Sequence, residues 1–110
     1  MKEYFFRAKR TNNGGLYFKA DYGYLYTVCH RGQALNFAIC KTLYGWDITH
    51  VESGFRAAVR NFRTKKEAIE YIKNPIFLDE TIELVNTKSA IKIAEELKKR
   101  LEEIRNNDNI

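Results

Sequence analysis

Three residue types that hydrolases combine for catalysis lie within one short segment, DITHVES, as Asp47, His50 and Ser53. In that chemistry a histidine accepts the proton of a serine hydroxyl while a carboxylate orients the imidazole ring. If the segment is a strand, side chains alternate between its faces, so Asp47 and Ser53 lie on one face and His50 on the other. The three groups then cannot hydrogen-bond in series, and the chain has no G-x-S-x-G motif. The sequence therefore predicts no catalytic residues and a protein that is not an enzyme.

The side chains that could bind a metal follow no known ligand pattern. The gaps between Cys29, His30, Cys40 and His50 match neither the C-x-x-C nor the H-x3–5-H spacing. The segment NNGG is not followed by Lys-Ser/Thr, so it is not a phosphate-binding loop. We therefore expect no metal and no cofactor. Two cysteines in a domain with its own core are typical of reduced, buried thiols, and a disulfide is the alternative.

Basic residues gather around the start of a predicted helix. In the segment 62–75, Thr64 is an N-cap residue and Glu67 follows at the spacing of a capping box. Lys65 and Lys66 occupy the first turn, where the helix dipole favours acids. A polyanion bound there meets free N–H groups, the positive end of the dipole and several cations, whereas the alternative is an ordinary solvated helix start. The predicted nucleic-acid or partner site contains Arg56, Arg60, Arg63, Lys65 and Lys66.

A second candidate surface combines cations with aromatic rings on the first predicted hairpin. If its two strands pair, one outer face carries Phe5, Arg7, Lys9, Tyr17 and Lys19. Exposed aromatic rings between cations form a platform on which bases stack while phosphates are neutralised. The alternative is a solvated face on which lysine and arginine stems cover the rings.

Hydrophobic alternation predicts the strands that carry these residues. Strands are expected at 3–10 and 16–20, with Phe6 and Phe18 facing inward, and TNNGG forms the turn between them. DYG is predicted to be a second turn, which leads into a third strand at 24–31. The sequence therefore predicts that the chain begins with an antiparallel sheet.

The middle of the chain is less distinct. Residues 32–45 fit either a short buried helix or a strand, and β-branched and aromatic neighbours favour the strand. Residues 46–51 and 55–59 then predict a β-hairpin that turns at ESG.

Helical signals dominate the last part. The capped helix is predicted over 65–73, the segment 75–86 is predicted to be a connector with a short strand, and a final helix covers 88–105. Its apolar stripe spans about two heptads, so it packs on the domain's own sheet or forms a homodimer seam, and packing is favoured. The predicted core contains Phe6, Phe18, Val28, Ile48, Val59, Ile69, Ile72, Leu97 and Leu101.

Length and charge limit the class of protein. A chain of 110 residues with 45% apolar content predicts one globular domain over 1–110. The expected fold is α+β, an antiparallel sheet of four to six strands followed by a short capped helix and a longer C-terminal amphipathic helix packed on it. Residues 1–75 carry 13 Lys/Arg against 6 Asp/Glu, a net charge of +7, and residues 76–110 carry 6 against 8, a net charge of −2. The net charge of +5 is therefore due to the first part of the chain, and this favours a polyanionic partner. No apolar run could span a bilayer, so a cytoplasmic location without membrane contact is expected.

One segment resembles part of a known family. A hairpin with a basic second strand, followed by FRTKKEA at the start of a helix, covers about residues 46–73. This is similar to the end of the arm-binding domains at the N-termini of phage-type tyrosine recombinases. There too a phenylalanine, a capping threonine and a Lys-Lys/Arg-Glu-Ala run begin the helix. In that family the arrangement belongs to a small DNA-binding domain, and the resemblance covers this segment alone.

These features predict a small non-enzymatic binding protein, an accessory factor of phage or plasmid type. It is expected to engage nucleic acid, or a complex that handles nucleic acid, through a basic and aromatic face. The alternative is a protein–protein inhibitor of a host defence nuclease, of the anti-CRISPR or anti-restriction type, whose arginines contact acidic surfaces. A third possibility is an enzyme whose site does not show in the sequence. Salt separates the first two, because direct nucleic-acid binding weakens steeply as salt rises.

Overall fold

Four antiparallel strands and three helices make up the fold in a computed structural model of the chain, which describes the backbone of residues 1–108 and the side chains of residues 1–106. Strands adjacent in sequence are neighbours in the sheet, and the predicted α+β fold is confirmed. Among the helices of residues 1–108, none has both the length and the apolar character that crossing a membrane requires. The elements are β1 (Glu3–Arg10), β2 (Leu16–His30), β3 (Gln33–Thr42), β4 (Gly45–His50), α1 (Lys65–Ile72), α2 (Pro75–Val85) and α3 (Lys88–Asp108).

The predicted turn at DYG is wrong, because β2 runs through it as one long strand. Residues 16–23 of β2 pair with β1, and residues 24–30 pair with β3. Gly23 stands where the pairing changes over. A Cβ atom there would lie 2.8 Å from the carbonyl oxygen of Ile39 and 3.1 Å from the Phe5 ring. This glycine therefore serves close packing of strands and not a chain reversal.

The favoured strand within 32–45 is confirmed as β3, but the second strand of the next hairpin is wrong. After β4 the chain turns over 51–54 and returns beside β4 with only two isolated bridges, Thr49 to Arg56 and Trp46 to Phe62. Between these bridges lie two residues of β4 but five of the returning segment. The unequal lengths prevent a regular ladder.

The predicted connector over 75–86 is also wrong, because it forms α2. The Asn74 side chain accepts a hydrogen bond from the Ile76 N–H at 2.9 Å, and Pro75 occupies the first turn of the helix. Proline is favoured at that position because its missing N–H has no helical partner there. Asn74 and Pro75 therefore end α1 and begin α2.

The sheet is covered on both faces. Helices α1 and α2 cover the face of β3 and β4 that carries Phe37, Ile39 and Ile48, and together they form the main core. On the opposite face, Phe5 of β1 packs against Ala38 and Cys40 in a second, smaller core. Strand β2 pairs with β1 before Gly23 and with β3 after it. This arrangement places β1 over the face of β3 that is opposite to α1 and α2, and shields that face from solvent.

Helix α3 packs against the outer side of the β1–β2 hairpin. Leu97 and Leu101 lie with Phe6 and Phe18 around a shallow cavity, as the predicted apolar stripe requires. Ile104, at the end of the stripe, is partly exposed. Packing on the domain's own sheet is thus confirmed, while a homodimer through this helix stays a prediction.

The predicted core is partly confirmed. Val59 is the error, because it is 98% exposed in the irregular segment after β4. The others fall into a fully buried group of Ile48, Ile72 and Leu97 and a half-buried group of Phe6, Phe18, Val28, Ile69 and Leu101.

Candidate functional site

The start of α1 has the predicted cap. The Thr64 hydroxyl accepts a hydrogen bond from the Glu67 N–H at 3.1 Å, and the Glu67 carboxylate accepts one from the Arg63 N–H at 3.2 Å. In the usual capping box the carboxylate returns to the N-cap residue itself, whereas here it reaches one residue further back. This reciprocal pair positions Arg63, Lys65 and Lys66 around the first turn.

The chain that leads into α1 is attached to the end of β4. Trp46 and Phe62 exchange two backbone hydrogen bonds of 2.7 and 2.8 Å. Gly45 allows this approach, because it has φ +118° and a Cβ there would lie 2.6 Å from the Phe62 carbonyl oxygen. The basic residues that follow Phe62 are therefore held beside Trp46 at one end of the sheet.

Two of the predicted cations lie over aromatic rings. The Lys65 ammonium is 3.6 Å from the centre of the Tyr24 ring, which is itself 6.2 Å from the Trp46 ring. The Arg60 guanidinium lies 4.6 Å from the Phe62 ring centre. Such contacts hold a cation in place through the ring quadrupole and leave its charge unneutralised. Arg60 and Lys65 are thus linked by a continuous run of contacts through Phe62, Trp46 and Tyr24.

The five predicted residues of this region, Arg56, Arg60, Arg63, Lys65 and Lys66, are here called the basic cluster. Within the described side chains, none of the ion pairs involves a member of the cluster. The segment 55–66 contains no Asp or Glu. Arg56 donates hydrogen bonds only to neutral acceptors, the Ala58 carbonyl and the Asn61 side chain. The basic cluster is therefore a surface of uncompensated positive charge, and all of its members except the half-buried Lys65 are exposed.

The second predicted surface is wrong at its centre. The strand register places Arg7 opposite Lys19 and Lys9 opposite Tyr17, so these residues do share one face with Phe5. That face turns inward, however, and Phe5 is only 2% exposed, so it offers no ring to a base. Only the distal part of the face, Lys9, Tyr17 and Lys19, is exposed. Alternation along β1 correctly separated its two faces but could not show which one β3 and β4 would cover.

Arg7 is neutralised by two carboxylates and is not available to a phosphate. Its Nη1 and Nη2 donate to Asp47 at 2.8 and 3.1 Å, and its Nε donates to Asp21 at 3.0 Å. Burial lowers the pKa of Arg7, but the hydrogen bonds to Asp47 and Asp21 outweigh burial and raise it above its ordinary value. Burial raises the pKa of Asp21, yet hydrogen bonds from the Tyr22 N–H and from Arg7 bring it below its usual range. Arg7 of β1 therefore forms ion pairs with β2 through Asp21 and with β4 through Asp47.

The histidine and serine of DITHVES meet, which contradicts the prediction that they lie on opposite faces. His50 Nδ1 is 2.8 Å from Ser53 Oγ, and His50 Nε2 is 3.1 Å from the Glu52 carboxylate. The period of two fails because the strand ends at His50 and the chain turns. Asp47 takes no part, since it binds Arg7.

This group supports the turn after β4. Ser53 is 1% exposed, and its hydroxyl accepts a hydrogen bond from the Phe55 N–H at 3.2 Å. Burial lowers the pKa of His50, although the nearby Glu52 carboxylate raises it, so the net shift is downward. A neutral imidazole that donates from Nε2 to Glu52 and accepts at Nδ1 satisfies each of these contacts.

The four candidate metal ligands are not brought together. Cys29 and Cys40 are both free thiols, and Cys29 is exposed, contrary to the expectation that both are buried. Burial raises the pKa of the Cys40 thiol. His30 Nε2 lies 2.8 Å from Asp79 on α2. Within the part of the chain that the structure describes, no three potential ligands form a group that could hold a metal ion.

An apolar cavity of about 390 Å³ lies between α3 and the turn after β4. Val51, Val85, Ile91 and Ala94 form part of its wall. The sequence indicated nothing of this cavity, because its walls come from segments far apart in the chain.

No family model, curated protein or solved structure matches this chain.

Proposed function

We propose that this chain is a small non-enzymatic protein that binds nucleic acid through the basic cluster. One observation carries the proposal. Five cations lie between residues 56 and 66, and within the described side chains none has an acidic partner. By contrast, Arg7 and Arg31 elsewhere in the chain are each paired with aspartate. Phosphate groups would supply the charge that the protein leaves uncompensated.

The position of the lysines supports the same proposal. Lys65 and Lys66 stand in the first turn of α1, where each cation costs up to about 0.3–1 kcal/mol through the helix dipole. A bound phosphate offsets this cost and also accepts hydrogen bonds from free N–H groups of the first turn. Lys65 and Arg60 are already held over aromatic rings, so less side-chain freedom is lost on binding.

A second candidate function has its own observation. Leu43 and Val59 are almost fully exposed, and Val59 lies within the segment of the basic cluster. Exposed apolar side chains beside arginines are typical of protein–protein contacts. They favour the alternative, an inhibitor that contacts a host defence nuclease, with the cluster facing an acidic or nucleic-acid-binding surface of that enzyme.

Either function suits a phage- or plasmid-type accessory protein, and we place the protein in the cytoplasm, where the two free thiols stay reduced.

The test compares two charge-reversal variants of the full chain. Arg63→Glu with Lys66→Glu removes two exposed members of the basic cluster and leaves the Lys65–Tyr24 contact intact. Lys92→Glu with Lys99→Glu changes two exposed lysines of α3 and lowers the net charge equally. Affinity for labelled oligonucleotides is measured by fluorescence polarisation. We expect the first variant to lose about tenfold or more, which corresponds to about 1.4 kcal/mol, and the second to change much less.

Salt and folding provide the controls. Affinity of the wild type should fall steeply between about 50 and 200 mM salt, and the Arg63/Lys66 variant should show a shallower dependence. Its thermal stability should hold, because glutamate in the first turn suits the dipole. If the two variants bind alike, the basic cluster is not the site. If the wild type binds no nucleic acid but retains a protein from its host after nuclease treatment, the inhibitor function replaces the proposal.

A further inference from the structure

The turn end of the β3–β4 hairpin carries one exposed aromatic ring beside a half-buried ring that packs on the main core. Tyr44 lies in the turn between the strands and is 84% exposed. Trp46 begins β4 and is half-buried, and its ring lies 6.2 Å from that of Tyr24 on β2. These three residues, Tyr24, Tyr44 and Trp46, are here called the aromatic end.

Cations flank the aromatic end. Lys41 is the cross-strand partner of Trp46, so the two side chains share one face of the sheet. Lys41 is exposed, and within the described side chains it has no ion pair. On the other side the Lys65 ammonium lies 3.6 Å from the centre of the Tyr24 ring. Lys41 and Lys65 therefore flank the Trp46–Tyr24 pair at the point where Phe62 leads into α1.

We infer that the nucleic acid bound by this protein is single-stranded, with unpaired bases stacking at the aromatic end while the phosphates contact Lys41, Lys65 and the basic cluster. The inference rests on the proposed function and adds the class of nucleic acid. A duplex presents phosphates outward but keeps its bases stacked on one another, so the rings gain nothing from it. A single strand offers the faces of its bases and its phosphates together.

Charge alone does not explain this surface. A site that only neutralises phosphates needs cations and free N–H groups, which the start of α1 already supplies. The Tyr24 ring holds Lys65 in place, but the exposed ring of Tyr44 adds nothing to binding of a plain polyanion. Stacking on aromatic side chains is what distinguishes single-strand binding from polyanion binding.

Trp46 is the only tryptophan of the chain, so its fluorescence reports directly on the aromatic end. The probes are oligothymidylate and oligouridylate of about 16 nucleotides, a duplex of the same length, and inorganic polyphosphate. Both single strands should quench Trp46 emission and bind about tenfold or more tightly than the duplex. Polyphosphate should bind weakly and leave the emission unchanged. The two single strands also distinguish a DNA from an RNA ligand.

Neighbouring exposed residues provide a matched pair of variants. Tyr44→Ser removes the exposed ring, whereas Leu43→Ser removes an equally exposed apolar side chain with no ring. Tyr44→Ser should lower single-strand affinity about tenfold and leave polyphosphate binding unchanged, and Leu43→Ser should change neither. Both proteins should melt as the wild type does.

The outcomes separate the two proposals. Equal affinity for single strand and duplex, without quenching and without an effect of Tyr44→Ser, overturns the single-strand inference but leaves nucleic-acid binding by the basic cluster intact. Equal losses in Tyr44→Ser and Leu43→Ser overturn it too, since a ring is then not required. Absence of binding to every nucleic acid overturns the proposed function and this inference together.

Discussion

Arg7 of β1 and Asp47 of β4 are joined by two hydrogen bonds of 2.8 and 3.1 Å, although 40 residues separate them in sequence. Both side chains are largely buried, with side-chain exposures of 12% and 9%. The pair joins the first strand of the sheet to the last. A planar guanidinium that donates two parallel bonds to one carboxylate gives this contact a defined geometry.

Breaking this ion pair on one side should destabilise the protein strongly. Arg7→Met leaves the Asp47 carboxylate buried without its cation, and the free energy of unfolding should fall by about 3–5 kcal/mol. Asp21 also loses a partner, but it is more exposed and regains water. Urea denaturation followed by circular dichroism measures the change.

The double variant Arg7→Met with Asp47→Leu is the control, because it leaves no buried charge at this position. Its loss should be smaller than the sum of the two single losses. Strictly additive losses would show that the two side chains act independently. Nucleic-acid affinity of the folded Arg7→Met protein should match the wild type, since the Arg7 guanidinium is occupied by Asp47 and Asp21.

Lowering the pH should destabilise the folded protein, because His50 then becomes protonated. Burial holds the pKa of His50 below its ordinary value of 6.5, so the unfolded chain binds a proton at a pH where the folded protein does not. The stability that this histidine contributes is therefore complete above pH 6.5 and is lost as the pH falls toward its folded pKa. Thermal melting between pH 7.5 and about pH 5 should show this loss.

A variant without the His50 imidazole provides the comparison for that experiment. His50→Gln should be less stable at neutral pH, because the contacts with Ser53 and Glu52 are impaired, but its melting temperature should vary less over this range. If His50→Gln and the wild type lose stability in parallel on acidification, another group is responsible.

Filling the apolar cavity should stabilise the protein. Ala94 is half-buried on α3 and lines the space of about 390 Å³. Ala94→Leu places further apolar atoms there without displacing packed side chains, and we expect a gain of about 0.5–2 kcal/mol in the free energy of unfolding.

Ala90, one turn earlier on the same helix, should respond in the opposite direction. It is buried and does not line the cavity, so Ala90→Leu should overpack its surroundings and cost about 1–3 kcal/mol. Calorimetric melting of the two variants measures both signs. A loss in Ala94→Leu comparable to that in Ala90→Leu would show that the cavity cannot accept a leucine side chain.

Several elements were predictable because the interactions that define them are local. Thr64 and Glu67 stand three residues apart, and the cap they form depends on no distant part of the chain. The alternation of apolar and polar residues over 3–10 identified β1 for the same reason. So did the apolar stripe of the last helix, whose members are spaced four and three residues apart, for α3. The positive charge of the basic cluster is likewise a property of one continuous segment, as is the absence of acids among residues 55–66.

Other features depend on contacts between distant segments, which local patterns do not contain. Gly23 signals a turn by its type, yet it lies in a strand because the Ile39 carbonyl and the Phe5 ring pack where a side chain would be. Asn74-Pro75 ends one helix and begins another, and α2 is retained because its apolar face completes the main core.

The candidate site divides in the same way. The sequence by itself determined where the positive charge lies, how α1 is capped and which residues share each face of β1. Only the tertiary structure decided that the Phe5 and Arg7 face turns inward onto Ala38 and Asp47, because both faces of β1 carry apolar side chains and the choice depends on what β3 and β4 cover. The tertiary structure likewise placed Lys65 over Tyr24 and Phe62 beside Trp46. These contacts join segments that are distant in sequence, so no local sequence pattern predicts them.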